Sequence, residues 1–138
     1  MNWVIDCSFA AALFLPDEKS NKVSSFFSGL STEDSLWIPS LWWYELTNVL
    51  AVAERRKRLC HEDVIKIIYL YDQFSILTDN IRIFSLCSHI YDLAKTNQLS
   101  AYDAAYLELA IRKDATLATL DKELLETATT SGIRTFTF

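Results

Sequence analysis

Short apolar runs recur along this chain, each separated from the next by a segment with helical spacing. The runs are "NWVID", "LWIP", "FSILT", "ATLATL" and "IRTFTF". The first, "NWVID", is a brief apolar stretch that reads as a buried strand, and the others read as further short strands. Strand alternating with helix predicts an α/β domain with a mostly parallel sheet and right-handed crossovers. The glycines and prolines agree. There are two of each, Gly29, Gly132, Pro16 and Pro39, too few for the tight turns of an all-β sandwich. A length of 138 residues predicts a single domain over 1–138.

Between the strands, Ser8 is placed to cap a short helix, "FAAALFL", that stops at Pro16. A polar helix is expected over about 21–28. Ser40 is placed to cap a long helix over about 41–58. Val64, Ile67, Ile68 and Tyr71 form one stripe of the next helix, and Ile83, Leu86, Ile90 and Leu93 form another. Ser100 is a candidate cap for "AYDAAYLELAIRK", and Gly132 breaks the helix "DKELLETAT" before the final strand.

Several functions are weighed against by what is missing. The longest apolar run, "FAAALFL", is far short of the ~20 residues that span a bilayer. A secretory leader is not expected, because the first basic side chain is Lys19 and Asp6 interrupts the opening apolar segment. The protein is therefore expected in the cytoplasm. Cys7, Cys60 and Cys87 are odd in number and widely spaced, which reads as reduced, partly buried thiols and not a zinc knuckle or redox pair. A net charge of −5 leaves no bulk basic surface for nucleic acid. A nucleic-acid role needs another source of positive charge, and a bound metal could supply it.

Four acidic residues stand out. Asp6 and Asp121 each leave an apolar strand and enter a helix, and ligands of parallel α/β folds bind beyond the carboxyl ends of strands. Asp103 lies in the first turn of its helix. Glu45 sits in "LWWYELTNVLAVA" with Leu41, Trp42, Asn48 and Val49 as its helical neighbours, so it projects from a largely apolar face. Ordinary roles exist for each. Asp6 and Asp121 could be turn or cap residues, Asp103 could pair with Ser100 in a capping box, and Glu45 could meet a distant Lys or Arg. If the fold brings the four together, they cannot all ionise without a counter-cation. Mg²⁺ or Mn²⁺ suits such an all-oxygen set. His61 and His89 have no partner at ligand spacing, which weighs against zinc.

These residues also resemble a known family. Asp6-Cys7-Ser8 looks like its strand-end Asp-x-Ser, "WYELTNVL" like its Glu-bearing helix, "LSAYDAAYLELA" like its third motif and "ATLATLDKEL" like its Thr-x-Asp turn. The chain is similar to the PIN-domain family over essentially its whole length, and in length and spacing to the VapC-type toxins of toxin–antitoxin pairs. The resemblance implies a three-layer α/β/α sandwich with a five-stranded sheet. It implies a Mg²⁺- or Mn²⁺-dependent ribonuclease whose metal ligands are Asp6, Glu45, Asp103 and Asp121, supported by Ser8 and Thr119. It also implies a homodimer and an antitoxin partner.

Two further features carry paired readings. "ERRKR" at 54–58 is the only dense basic run. Its cations can complement a helix C-terminus, or Arg55 and Arg56 can clamp RNA phosphates. Trp42, Trp43, Tyr69 and Tyr71 suit core packing first and a partner interface second. Rival functions fit less well. An aspartyl-phosphate phosphatase wants Asp where Ser8 stands, and a receiver domain wants a Lys after a late strand. A non-catalytic module whose acidic pocket takes a basic peptide stays open.

Overall fold

The computed structural model of the chain describes residues 1–15, 19–81 and 84–138. In order, the elements are β1 (Asn2–Ile5), α1 (Cys7–Ala11), α2 (Ser20–Ser28), β2 (Ser35–Pro39), α3 (Leu41–Arg55), α4 (His61–Gln73), β3 (Ile76–Asp79), α5 (Phe84–Asn97), α6 (Ala101–Arg112), β4 (Thr116–Ala118), α7 (Lys122–Thr130) and β5 (Thr135–Phe136). The strands form one sheet in the order β3-β2-β1-β4-β5, and every pairing is parallel.

Successive strand residues point to opposite faces, so a strand buried at consecutive positions must be covered on both sides. Val4 and Ile5 of β1 are both fully buried, as are Leu117 and Ala118 of β4. Helices therefore flank the sheet on both faces, giving the three-layer α/β/α sandwich. On one side α6 lies across β2, β1 and β4, and α5 packs on its back. That double cover explains why Ala104 to Ala110 are all buried, Glu108 included, and why α6 lacks a clear polar face. Elsewhere, Phe9 meets Phe26 and Phe136 edge-on at 5.1 and 5.9 Å, and Trp42 meets Tyr71 at 5.4 Å. Edge-on rings at these distances are favourable beyond their buried area.

The strand order creates the place where a site belongs. From β1 the chain winds outward through β2 and β3, then returns to start the other half at β4. The order reverses between β1 and β4, and the crevice beyond the carboxyl ends of such a pair is the usual ligand position. Ile5 pairs with Ala118, and the Asp6 N–H donates to the Ala118 carbonyl at 3.1 Å. The next residues on the two strands, Asp6 and Thr119, are thus neighbours at that crevice.

Several local expectations need correction. Ser8 does not cap α1. Asp6 does, its carboxylate accepting from the Phe9 N–H, and the helix is shorter than expected, while Pro16 lies outside the described residues. Ser40 has helical dihedrals and makes no side-chain cap, and α3 ends at Arg55 because Lys57 turns to φ 58°. In α4, Ile67 and Tyr71 are buried but Ile68 is 50% exposed, since the covered stripe is narrower than the apolar one. In α5, Leu86, Ile90 and Leu93 are only half-buried, and Ile83 lies outside the described residues. Trp42 and Tyr71 are core, whereas Trp43 and Tyr69 are exposed. Of the thiols, Cys7 is buried and Cys60 and Cys87 are exposed, all of them free. No helix among the described residues is long and apolar enough to cross a membrane.

Candidate active site

Asp6 is built into the crevice by both of its flanking elements. It is 5% exposed, the last residue before α1 and the first after β1. Its Oδ1 accepts from the Phe9 N–H at 2.9 Å and the Ser8 hydroxyl at 2.8 Å. Its Oδ2 accepts from Ser8 at 2.9 Å and from the Thr119 hydroxyl. Burial still wins over these donors and pushes the carboxyl up to about 6, with nearby Asp121 adding to the rise.

Ser8 and Thr119 also tie the two halves of the sheet together. Ser8 Oγ accepts from the Leu120 N–H at 3.0 Å, and Thr119 Oγ1 accepts from the Asp121 N–H at 3.0 Å. Asp121 is exposed and caps α7, with Oδ1 accepting from the Leu124 N–H at 2.9 Å. Its cap role leaves the carboxylate at the helix N-terminus, beside the crevice.

Asp103 and Glu45 close the group from the helices. Ser100 caps α6 by accepting from the Asp103 N–H at 3.1 Å, which fixes the first turn that carries Asp103. Partial burial raises the Asp103 carboxyl, and Asp121 and Glu123 raise it further. Glu45, half-buried on α3, is raised first by burial, then by Asp103, against a hydrogen bond from Tyr106. The Tyr106 hydroxyl donates to Glu45 Oε1. Its phenol is held protonated by burial, with Glu45, Asp6 and Cys7 all acting in the same direction.

These influences link the acids in a chain, Asp6 to Asp121, Asp121 to Asp103 and Asp103 to Glu45. None of the four makes an ion pair among the described residues, where the pairs are Met1–Asp34, Arg112–Asp79, Arg112–Glu108 and Arg134–Asp114, and His61 Nδ1 lies 3.4 Å from Glu54 Oε1. No three Asp, Glu, His or Cys side chains among the described residues stand as a ready-made ligand set. Arg55 lies ten residues along α3 from Glu45, about 15 Å by helical rise, and Arg56 follows it as the cap. Two residues escaped the sequence reading. Glu123 stands two positions after Asp121, and Tyr106 stands one turn after Asp103 on the same face of α6.

A parallel α/β/α domain with a carboxylate basin at its switch point is the class that fold and site define. The PIN domain model matches residues 3–129, and the chain belongs to that family. It is 31% identical over 130 residues to Ribonuclease VapC3 of Pyrobaculum aerophilum, covering 91% of this chain and 94% of that protein. VapBC2 from Rickettsia felis, solved bound to a DNA fragment from their promoter, has a TM-score of 0.73 at 11% identity, covering 99% of this chain and 98% of that one. VapC20 of Mycobacterium tuberculosis, described as a Sarcin-Ricin loop cleaving toxin, has a TM-score of 0.68 at 14% identity, covering 95% of each chain. At such identities the structural likeness speaks for the fold.

Proposed function

We propose that the chain is a Mg²⁺- or Mn²⁺-dependent endoribonuclease and the toxin of a type II toxin–antitoxin pair, acting in the cytoplasm as a homodimer. The observation that carries this reading is the basin itself. Asp6, Glu45 and Asp103 are held in environments that disfavour their charged forms, Asp121 adds to the repulsion, and none of the four acids has an ion-pair partner among the described residues. The donor chemistry fits a hard divalent ion, being all oxygen. Zinc fits poorly, since His61 is paired with Glu54 and His89 lines a separate cavity between α5 and α6. The names of the relatives support an RNA substrate and an antitoxin partner.

In this reading Asp6, Glu45, Asp103 and Asp121 hold the ion. Ser8 and Thr119 orient Asp6 through its two oxygens. Arg55 and Arg56 take backbone phosphates of the RNA. A bound divalent ion supplies Lewis acidity toward the phosphodiester and an ionised nucleophile at neutral pH.

The test is incubation of purified protein with total RNA, with and without Mg²⁺, and mapping of the ends. Asp6→Asn and Asp103→Asn each abolish cleavage while the fold is retained. Turnover by both variants at the native rate rejects the assignment. One observation favours a second reading, a non-catalytic module that takes a basic peptide: the absence, among the described residues, of a closed ligand set. Titration with Mn²⁺ separates the two, because the module would neither bind the ion nor cut RNA.

A further inference from the structure

We propose that Tyr106 is a positioning residue that holds Glu45 through one carboxylate oxygen and leaves the other to a cation. The inference rests on the metal-dependent reading above. Tyr106 is 1% exposed, so its ring is fixed by the packing of α6 against the sheet. Its hydroxyl is buried with it, and a buried hydroxyl without an acceptor is costly. Glu45 Oε1 is that acceptor. Glu45 Oε2 makes no hydrogen bond among the described residues.

The link spans two elements. Asp103 and Tyr106 are one turn apart on α6, and Glu45 belongs to α3. One rigid helix therefore carries one acid directly and sets the other at a distance through the hydroxyl. Glu45 is half exposed and has three rotatable bonds before its carboxyl, so without an anchor it would lose rotamer freedom on taking a ligand. A donor already in place removes part of that cost, as outer partners of metal ligands do. Release of Glu45 to offer both oxygens would orphan the Tyr106 hydroxyl inside the core.

The experiment is a double-substitution cycle read by Mn²⁺ binding, followed through the ion's paramagnetic resonance signal, with the intact chain. Tyr106→Phe keeps the ring and removes only the hydroxyl, and its expected effect is an affinity loss of about 10–100-fold. Tyr106→Met, a ring-free variant without the hydroxyl, shows the same loss and covers the case in which the Phe variant folds poorly. In the Glu45→Ala background, where no side-chain acceptor remains for the hydroxyl, Tyr106→Phe costs nothing further. Native affinity in Tyr106→Phe overturns the proposal, and so does an equal loss in both backgrounds, which would mark a general structural effect. The wild-type titration is read first. If the native chain takes up no Mn²⁺, the metal reading falls and this inference falls with it, whereas native uptake with an indifferent Tyr106 sinks the inference alone.

Discussion

The Thr119 hydroxyl donates to Asp6 Oδ2 across the carboxyl ends of β4 and β1, so a side chain of one half of the sheet orients the central acid of the other. Thr119 is 3% exposed and also accepts the Asp121 N–H. Thr119→Val keeps the shape and removes both bonds. A bond to a charged acceptor is worth about 1.5–3 kcal/mol, so the variant loses stability of that order. The loss is larger near pH about 8, where Asp6 is ionised, than near pH about 5. Urea melts at the two pH values check this. A loss of equal size at both would show that Thr119 serves only the backbone.

Asp6 also makes the whole domain sensitive to pH. Its carboxyl moves from an ordinary 3.8 to about 6 on folding. Between those values the folded chain binds more protons than the unfolded one, so stability falls as pH rises through the window. Below it the contribution is fully present, and above it the domain carries a cost of roughly 3 kcal/mol at most. Asp6→Asn removes the titration, and Asn caps a helix as well as Asp does. The variant is expected to be at least as stable as the native chain at neutral pH and less stable relative to it under acid conditions. Chemical melts across the window measure the difference between the two chains, which cancels the opposite pull of acids such as Asp34, whose hydrogen bonds hold it down to about 2. A constant difference would mean that Asp6 does not titrate there.

How much of this was open to reading follows from which contacts are local. The strands could be found because burial on both faces leaves a continuous apolar run, as in "WVI". Asp6 and Asp121 could be found because a strand end is a position in sequence as well as in space. The cap of α1 was misplaced because Asp6 and Ser8 are both good cap residues and only the backbone decides between them. Tyr106 was missed for a different reason. Its partner Glu45 lies 61 residues away, and no period or spacing reports a hydroxyl that crosses between two helices. The exposed Ile68 and Tyr69 show the limit of helical stripes, which mark what could be buried and not what is.

Arg112 makes a prediction about stability away from the basin. It joins Asp79 at 2.7 Å and Glu108 at 2.7 Å, with both acids at or below 10% exposure. It thereby ties the end of β3 to the outer half of α6. The two carboxylates hold the guanidinium well above its usual range. Arg112→Leu would leave two buried acids without a cation, and breaking such a pair costs about 3–5 kcal/mol. Thermal unfolding measures it. The triple replacement of Arg112, Asp79 and Glu108 by apolar residues recovers much of that loss, because the cost lies in the stranded charges.

The basic run at the end of α3 separates a structural role from a functional one. Arg55 is in the last turn and Arg56 is the residue that ends the helix, and neither makes an ion pair among the described residues. Complementing the helix dipole is worth about 0.3–1 kcal/mol for each cation. Contact with RNA phosphates acts on a different quantity, since each neutralised phosphate of a single strand adds about 0.7 to the slope of log affinity against log salt. Replacing both residues with Gln in the Asp103→Asn background lets binding be measured without cleavage. If the pair clamps RNA, affinity falls and the slope flattens by about 1.4. If the pair serves only the helix, melting temperature falls slightly and the salt dependence of binding is unchanged. Fluorescence anisotropy over a salt series, alongside thermal melts of the same two chains, decides between them.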